Sequence, residues 1–141
     1  STVEEIPRPS PGDGEVLIEV SRVQLSVTEC WTWMGLFDGI DIEERIEEQD
    51  GLIFGHEFAG EIVETGDGVE SFDVGDRVYA PGKISSAHAA QRDGWNLVDK
   101  NKATIGSGGY PGALAEYFVA PTEPLCRLPD GVSDAEIHAV Q

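Results

Sequence analysis

A histidine and a glutamate stand side by side in the stretch Phe54-Gly55-His56-Glu57-Phe58-Ala59-Gly60. Imidazole and carboxylate both bind first-row metal ions, and imidazole suits zinc. Adjacent side chains on a strand point to opposite faces, so the two can share one site only where the chain bends. Gly55 permits that bend, because a residue without a Cβ reaches backbone angles that others avoid. The plain alternative is a histidine satisfied by a backbone carbonyl, beside a solvated glutamate. A second polar group lies upstream, at Ser26-Val27-Thr28-Glu29.

The elements that must position these residues read as short strands. Residues 1–14 carry Pro7, Pro9, Pro11, Gly12 and Gly14 and form an extended lead-in. Branched residues then predict a strand over 15–23. Ser26 or Thr28 caps a short helix over 29–34 that ends at Gly35. Trp31 and Trp33 on that helix either pack or line a pocket. Residues 36–50 hold seven acidic side chains, among them Asp38, Glu43 and Glu48, and read as a solvated loop without ligand spacing. Further strands are expected at 57–64, 77–80, 113–119 and 124–128, with turns at Gly66-Asp67-Gly68 and Gly75-Asp76. Residues 81–112 read as irregular. Ser133 and Glu136 have capping-box spacing and open a helix over 134–141. Short strands, frequent turns and little helix predict a mainly β barrel in one domain, residues 1–141.

Composition narrows the function classes. The chain of 141 residues has 27 Asp and Glu against 9 Lys and Arg, a formal net charge of −18. Such a surface repels nucleic acid and anionic lipid, so neither is expected as a partner. With 40% hydrophobic residues in strand-like runs, a folded domain with an acidic, salt-adapted shell is expected rather than a disordered chain. No run of eighteen apolar residues suggests a membrane span, and the acidic N-terminus has no signal-peptide pattern. Cys30 and Cys126 make no disulfide framework, which fits a reducing, cytoplasmic setting. There is no Gly-x-Gly-x-x-Gly between a strand and a helix, no P-loop and no serine nucleophile elbow.

Six pieces, in order, resemble one family: Gly14–Ile18, Val23–Glu29, Gly55–Gly60, Val74–Val78, Gly112–Tyr117 and Leu128–Ser133. Together they resemble the GroES-like catalytic domain of the medium-chain, zinc-type alcohol, polyol and sugar dehydrogenases. The resemblance implies a GroES-like β-barrel with short helices. It also implies oxidation of an alcohol, polyol or sugar hydroxyl by hydride transfer to NAD or NADP, with a zinc Lewis acid lowering the hydroxyl pKa. Carried over position by position, the metal ligands are His56, Glu57 and Ser26, the last standing where the family usually has cysteine. A final ligand falls at Gln141. Thr28 matches the hydroxyl that relays the substrate proton, and Ser26 and Glu57 join it among the catalytic positions. Glu29 matches the acidic residue that follows. Trp31 stands where alcohol-active members often have histidine.

Cys30, one helical turn from Ser26, either substitutes for it as a ligand or is a buried structural thiol, and the second is expected. His88 and His138 are not expected to be ligands. The family's structural zinc needs four cysteines where this chain has Ile84, Ala87, Ala90 and Val98, so no structural zinc is expected. That lobe is then held by packing through Trp95 and Leu97. No residue here is assigned to the dinucleotide, whose domain is expected after Gln141, with a first hairpin before Ser1. The fragment alone is therefore expected to be inactive, and the full-length parent a homo-oligomer acting on a small molecule. Two alternatives stand beside this reading: a zinc-free quinone or enone reductase of the same superfamily, and a non-catalytic binding module on the same barrel.

Overall fold

The computed structural model describes residues 3–36, 53–80, 83–84, 103–105 and 109–139. The fold is mainly β. Its principal sheet has five antiparallel strands in the order β7-β1-β2-β3-β8, formed by β1 (Glu15–Gln24), β2 (Glu57–Thr65), β3 (Arg77–Ala80), β7 (Tyr117–Pro121) and β8 (Cys126–Arg127). A smaller sheet joins β4 (Lys83–Ile84), β5 (Ala103–Ile105) and β6 (Gly109–Tyr110). One α-helix, α1 (Val27–Trp33), follows β1, and a 3-10 helix spans Asp134–Ala139.

β1 lies between β2 and β7 because its branched residues fill the interior. Val16 and Ile18 join Phe58, Ile62, Val78, Phe118 and Ala120 in one core cluster, with Val20 and Val23 packed against it. Phe58 and Phe118 meet edge to face with centroids 5.1 Å apart, a geometry worth roughly 0.5–1.5 kcal/mol beyond area burial. The β1–β2 ladder slips twice. Leu17 pairs with Glu64 but Ile18 with Ile62, which leaves Val63 extra. Val20 pairs with Gly60 but Arg22 with Ala59, which leaves Ser21 extra. Each slip is a bulge, which bends its strand and increases the twist.

Several expectations are corrected. The helix begins at Val27, not Glu29, with Ser26 just outside it. It ends at Gly35 as expected, where Leu36 N–H bonds the Trp31 carbonyl and Gly35 N–H the Thr32 carbonyl, the Schellman pattern. The strand expected over 113–119 begins only at Tyr117. Ala113 and Leu114 spend their amides on the Gly55 and Phe54 carbonyls instead. The strand expected over 124–128 contracts to Cys126–Arg127, and the closing helix is 3-10 rather than α. The stretch expected to be irregular carries β4, β5 and β6. Cys30 is exposed, not buried, and Trp31 and Trp33 are 47% and 69% exposed.

The closing 3-10 helix is fastened to the sheet at the Ser21 bulge. The Ser21 hydroxyl reaches both the Ala59 carbonyl, at 3.0 Å, and the Asp134 carboxylate. Arg77 grips Asp134 through Nε at 3.2 Å and through Nη2, and also donates to the Val132 carbonyl at 2.9 Å. The hydrogen bonds from Arg77 and Ser21 hold the Asp134 carboxyl below its ordinary pKa; burial opposes this, and the charges of Arg77 and Arg22 add to it.

Candidate metal centre

His56 is the last residue before β2, and Gly55 turns the chain into it. Gly55 has φ of 99°, and a Cβ there would come within 2.9 Å of Val23 Cγ1 and 3.0 Å of the Leu114 amide nitrogen. Position 55 therefore needs glycine both for its angle and for its neighbours. The opposing wall is as tight: Gly112 N–H bonds the Ile53 carbonyl at 2.7 Å, and a Cβ on Gly112 would lie 2.0 Å from the Phe54 oxygen. These backbone contacts fix where His56 and Glu57 emerge.

Glu29, 27 residues earlier, holds the histidine. Its Oε1 meets His56 Nδ1 and accepts the His56 backbone N–H at 3.3 Å. Its Oε2 accepts the Ser26 backbone N–H at 2.9 Å and the Ser26 hydroxyl at 2.7 Å. Glu29 is buried. Burial opposes its ionisation, but the Ser26 hydroxyl and amide, its own backbone N–H and the His56 ring beside it outweigh it, so its carboxyl sits below the ordinary value. An ionised carboxylate only accepts, so Nδ1 carries the proton. The lone pair of the neutral ring then lies on Nε2, the tautomer that binds a metal.

Nε2 faces Glu57. The Glu57 Oε1 is 3.7 Å away, too far for a hydrogen bond. The other oxygen, Oε2, is buried without a hydrogen-bond partner. A nitrogen lone pair and a carboxylate thus confront each other with no proton between them, and a buried acceptor goes unsatisfied. A cation bound by both would resolve the conflict, and zinc–nitrogen and zinc–oxygen bonds of about 2.0–2.2 Å match the separation. The donor set fits a metal ion on this observation. Among the described residues, no cluster of three or more His, Cys, Asp or Glu converges on one ion.

The structure thus brings together His56, Glu57 and, through Glu29, Ser26. Thr28 lies within α1, and its side chain is outside the described set. Gln141, His88, Ala87, Ala90, Trp95, Leu97 and Val98 also lie outside the described residues, as do the side chains of Ile84 and His138. The sequence reading assigned Glu29 no contact. The signal was present, because Ser26 and Glu29 have the same capping-box spacing that Ser133 and Glu136 have.

The model of the alcohol dehydrogenase GroES-like domain matches residues 12–130. An L-threonine 3-dehydrogenase from Idiomarina loihiensis is 32% identical over 137 residues, covering 96% of this chain and 38% of that protein. The chain thus spans under two fifths of this relative's length. A crystal structure of 2R,3R-butanediol dehydrogenase from Bacillus subtilis superposes with a TM-score of 0.76 at 30% identity, covering 94% of this chain and 38% of that one. A structure from E. coli CFT073, described as a short chain alcohol dehydrogenase complexed with NADH, superposes with a TM-score of 0.70 at 26% identity, covering 94% of this chain and 36% of that one.

Proposed function

Because this chain belongs to the alcohol dehydrogenase GroES-like domain family, we propose that it is the metal-bearing catalytic domain of an NAD(P)-dependent dehydrogenase that oxidises a small secondary alcohol. The observation that carries the metal assignment is the confrontation of His56 Nε2 with Glu57, whose Oε2 is buried and unpartnered. His56 and Glu57 would hold zinc, which supplies Lewis acidity toward a substrate hydroxyl oxygen when bound.

The chain's own residues do the rest. Glu29 fixes the histidine tautomer and keeps Nε2 turned toward Glu57. Thr28, in the turn of α1 between Ser26 and Glu29, is the hydroxyl that passes the substrate proton onward. The names of the relatives support this substrate class. Threonine oxidised at its third carbon and butane-2,3-diol are both secondary alcohols with a polar group on the next carbon, which extends the reading to polyols and sugars. The E. coli structure with NADH supports a nicotinamide acceptor. The dinucleotide receives no residue here, because the sequence holds no Gly-x-Gly-x-x-Gly. Full-length protein acts as a homo-oligomer in the cytoplasm of a salt-adapted cell; among the described residues no helix is long and apolar enough to cross a membrane.

The test is the zinc content of the full-length protein beside a His56→Ala control. About one catalytic zinc per chain, lost in the control, is the expected result. No zinc above background in either sample overturns the reading and leaves a zinc-free quinone or enone reductase in its place.

A further inference from the structure

We propose that Ser26 serves this metal centre as a positioning residue, acting through Glu29, and is not itself a ligand. The proposal rests on the metal-centre reading above. Its basis is where the Ser26 hydroxyl and amide go. Both donate to one oxygen of Glu29, at 2.7 and 2.9 Å, while the other oxygen of the same carboxylate takes both nitrogens that His56 offers on that side.

The molecule contains its own control. Ser133 and Glu136, far along the chain, make the same two bonds at 2.7 and 3.0 Å. That pair is exposed and caps the closing 3-10 helix. The Ser26 geometry therefore recurs at a second helix start, with no metal required to explain it. The second oxygen of Glu29 reaches His56. A helix cap has been put to a second use: the bonds that start α1 also hold the carboxylate that orients the metal-facing ring.

The chemistry of the donors agrees. A serine hydroxyl whose proton is given to a carboxylate stays neutral and is a weak zinc donor beside the thiolate it replaces. The chain has two cysteines, Cys30 and Cys126. Both are exposed, and Cys126 lies on β8, paired with Tyr79 on β3. Among the described residues, neither cysteine joins His56 and Glu57 in a group of three or more metal-binding side chains.

The test uses full-length protein, stripped and reloaded with zinc or cobalt. Affinity is read by chelator competition, and the coordination sphere by the visible absorption of the cobalt form. Ser26→Ala should weaken zinc binding about tenfold, the lower end of the range for outer partners of a metal-bound histidine. The cobalt bands should keep their positions and intensities. Ser26→Thr should restore the affinity. In a Glu29→Gln background, Ser26→Ala should add no further loss, because both changes interrupt one path. A changed cobalt spectrum in Ser26→Ala, or an undiminished loss in the Glu29→Gln background, makes Ser26 a ligand and overturns the proposal. A lowered melting temperature with unchanged zinc affinity reduces Ser26 to a helix cap and also overturns it. Should Glu29→Gln fail to fold, the cobalt spectrum of Ser26→Ala decides alone. Metal binding that survives His56→Ala would overturn the metal centre itself, an outcome distinct from the others because each of those leaves the dependence on His56 intact.

Discussion

Glu57 keeps a buried carboxylate oxygen without a partner, and an unsatisfied buried acceptor costs about 1–3 kcal/mol. On the metal-centre reading proposed above, a bound cation would relieve this cost. Glu57→Met, which fills the volume without the charge, should therefore act with opposite signs on two measurements. The metal-free protein should gain roughly 1–2 kcal/mol in urea unfolding, while zinc stoichiometry should fall toward that of His56→Ala. A loss of stability in the metal-free form would mean that Glu57 is satisfied in some other way. Gly112 gives the companion prediction. Its missing Cβ would sit 2.0 Å from a backbone oxygen that cannot swing aside. Gly112→Ala should cost on the order of 3 kcal/mol or more and should lower metal affinity as well, since the displaced segment is the one that leads into His56.

The fastening of the closing 3-10 helix makes a pH prediction at the scale of elements. Asp134 titrates below its ordinary value of 3.8 when folded. A carboxyl with a depressed folded pKa stabilises the native state above the unfolded pKa, and that contribution disappears as pH falls through the folded value. Wild type should lose stability on acidification below about pH 4, and Asp134→Asn should start lower and show a flatter acid limb in urea titrations at successive pH values. An unchanged acid limb would mean that the Arg77–Asp134 pair does not contribute.

At this same scale the sequence was most informative. β1, β2 and β3 were legible to within a residue because branched side chains run between Gly-Asp turns. β4, β5 and β6, of two or three residues each, are too short for a period to register. Ala113–Glu116 has strand-like content, but the Ala113 and Leu114 amides are taken by the Gly55 and Phe54 carbonyls, and a distant acceptor leaves no local trace. The site divides in the same way. The His56-Glu57 pair and the bend at Gly55 were visible in the chain itself. The grip of Glu29 on His56 was not, because the two lie 27 residues apart and meet only once β1 and β2 have paired; only the capping-box spacing of Ser26 and Glu29 hinted at it.

For the whole molecule the governing quantity is a formal net charge of −18 on 141 residues. At low ionic strength this charge repels itself and weakens the compact state. Raising salt from about 0.1 M to about 1 M shortens the screening length from roughly 10 Å to roughly 3 Å. The melting temperature should rise across that range, in potassium chloride as in sodium chloride. A flat or falling dependence would remove the ground for a salt-adapted surface.

The two bulges in the β1–β2 ladder have a consequence for how this chain can change length. Val16, Ile18 and Val20 lie two apart, and Val23 then rejoins the core side after a step of three, because Ser21 is inserted between them. Deleting Ser21 would close that step to two and leave Val23 on the core side of an even ladder, whereas deleting Glu19 would turn Val20 toward the solvent. The ladder thus behaves like a reading frame. Single-residue deletions should survive at the turn around Gly68 and fail at Glu19, and a deletion library scored for soluble expression would draw that boundary along β1.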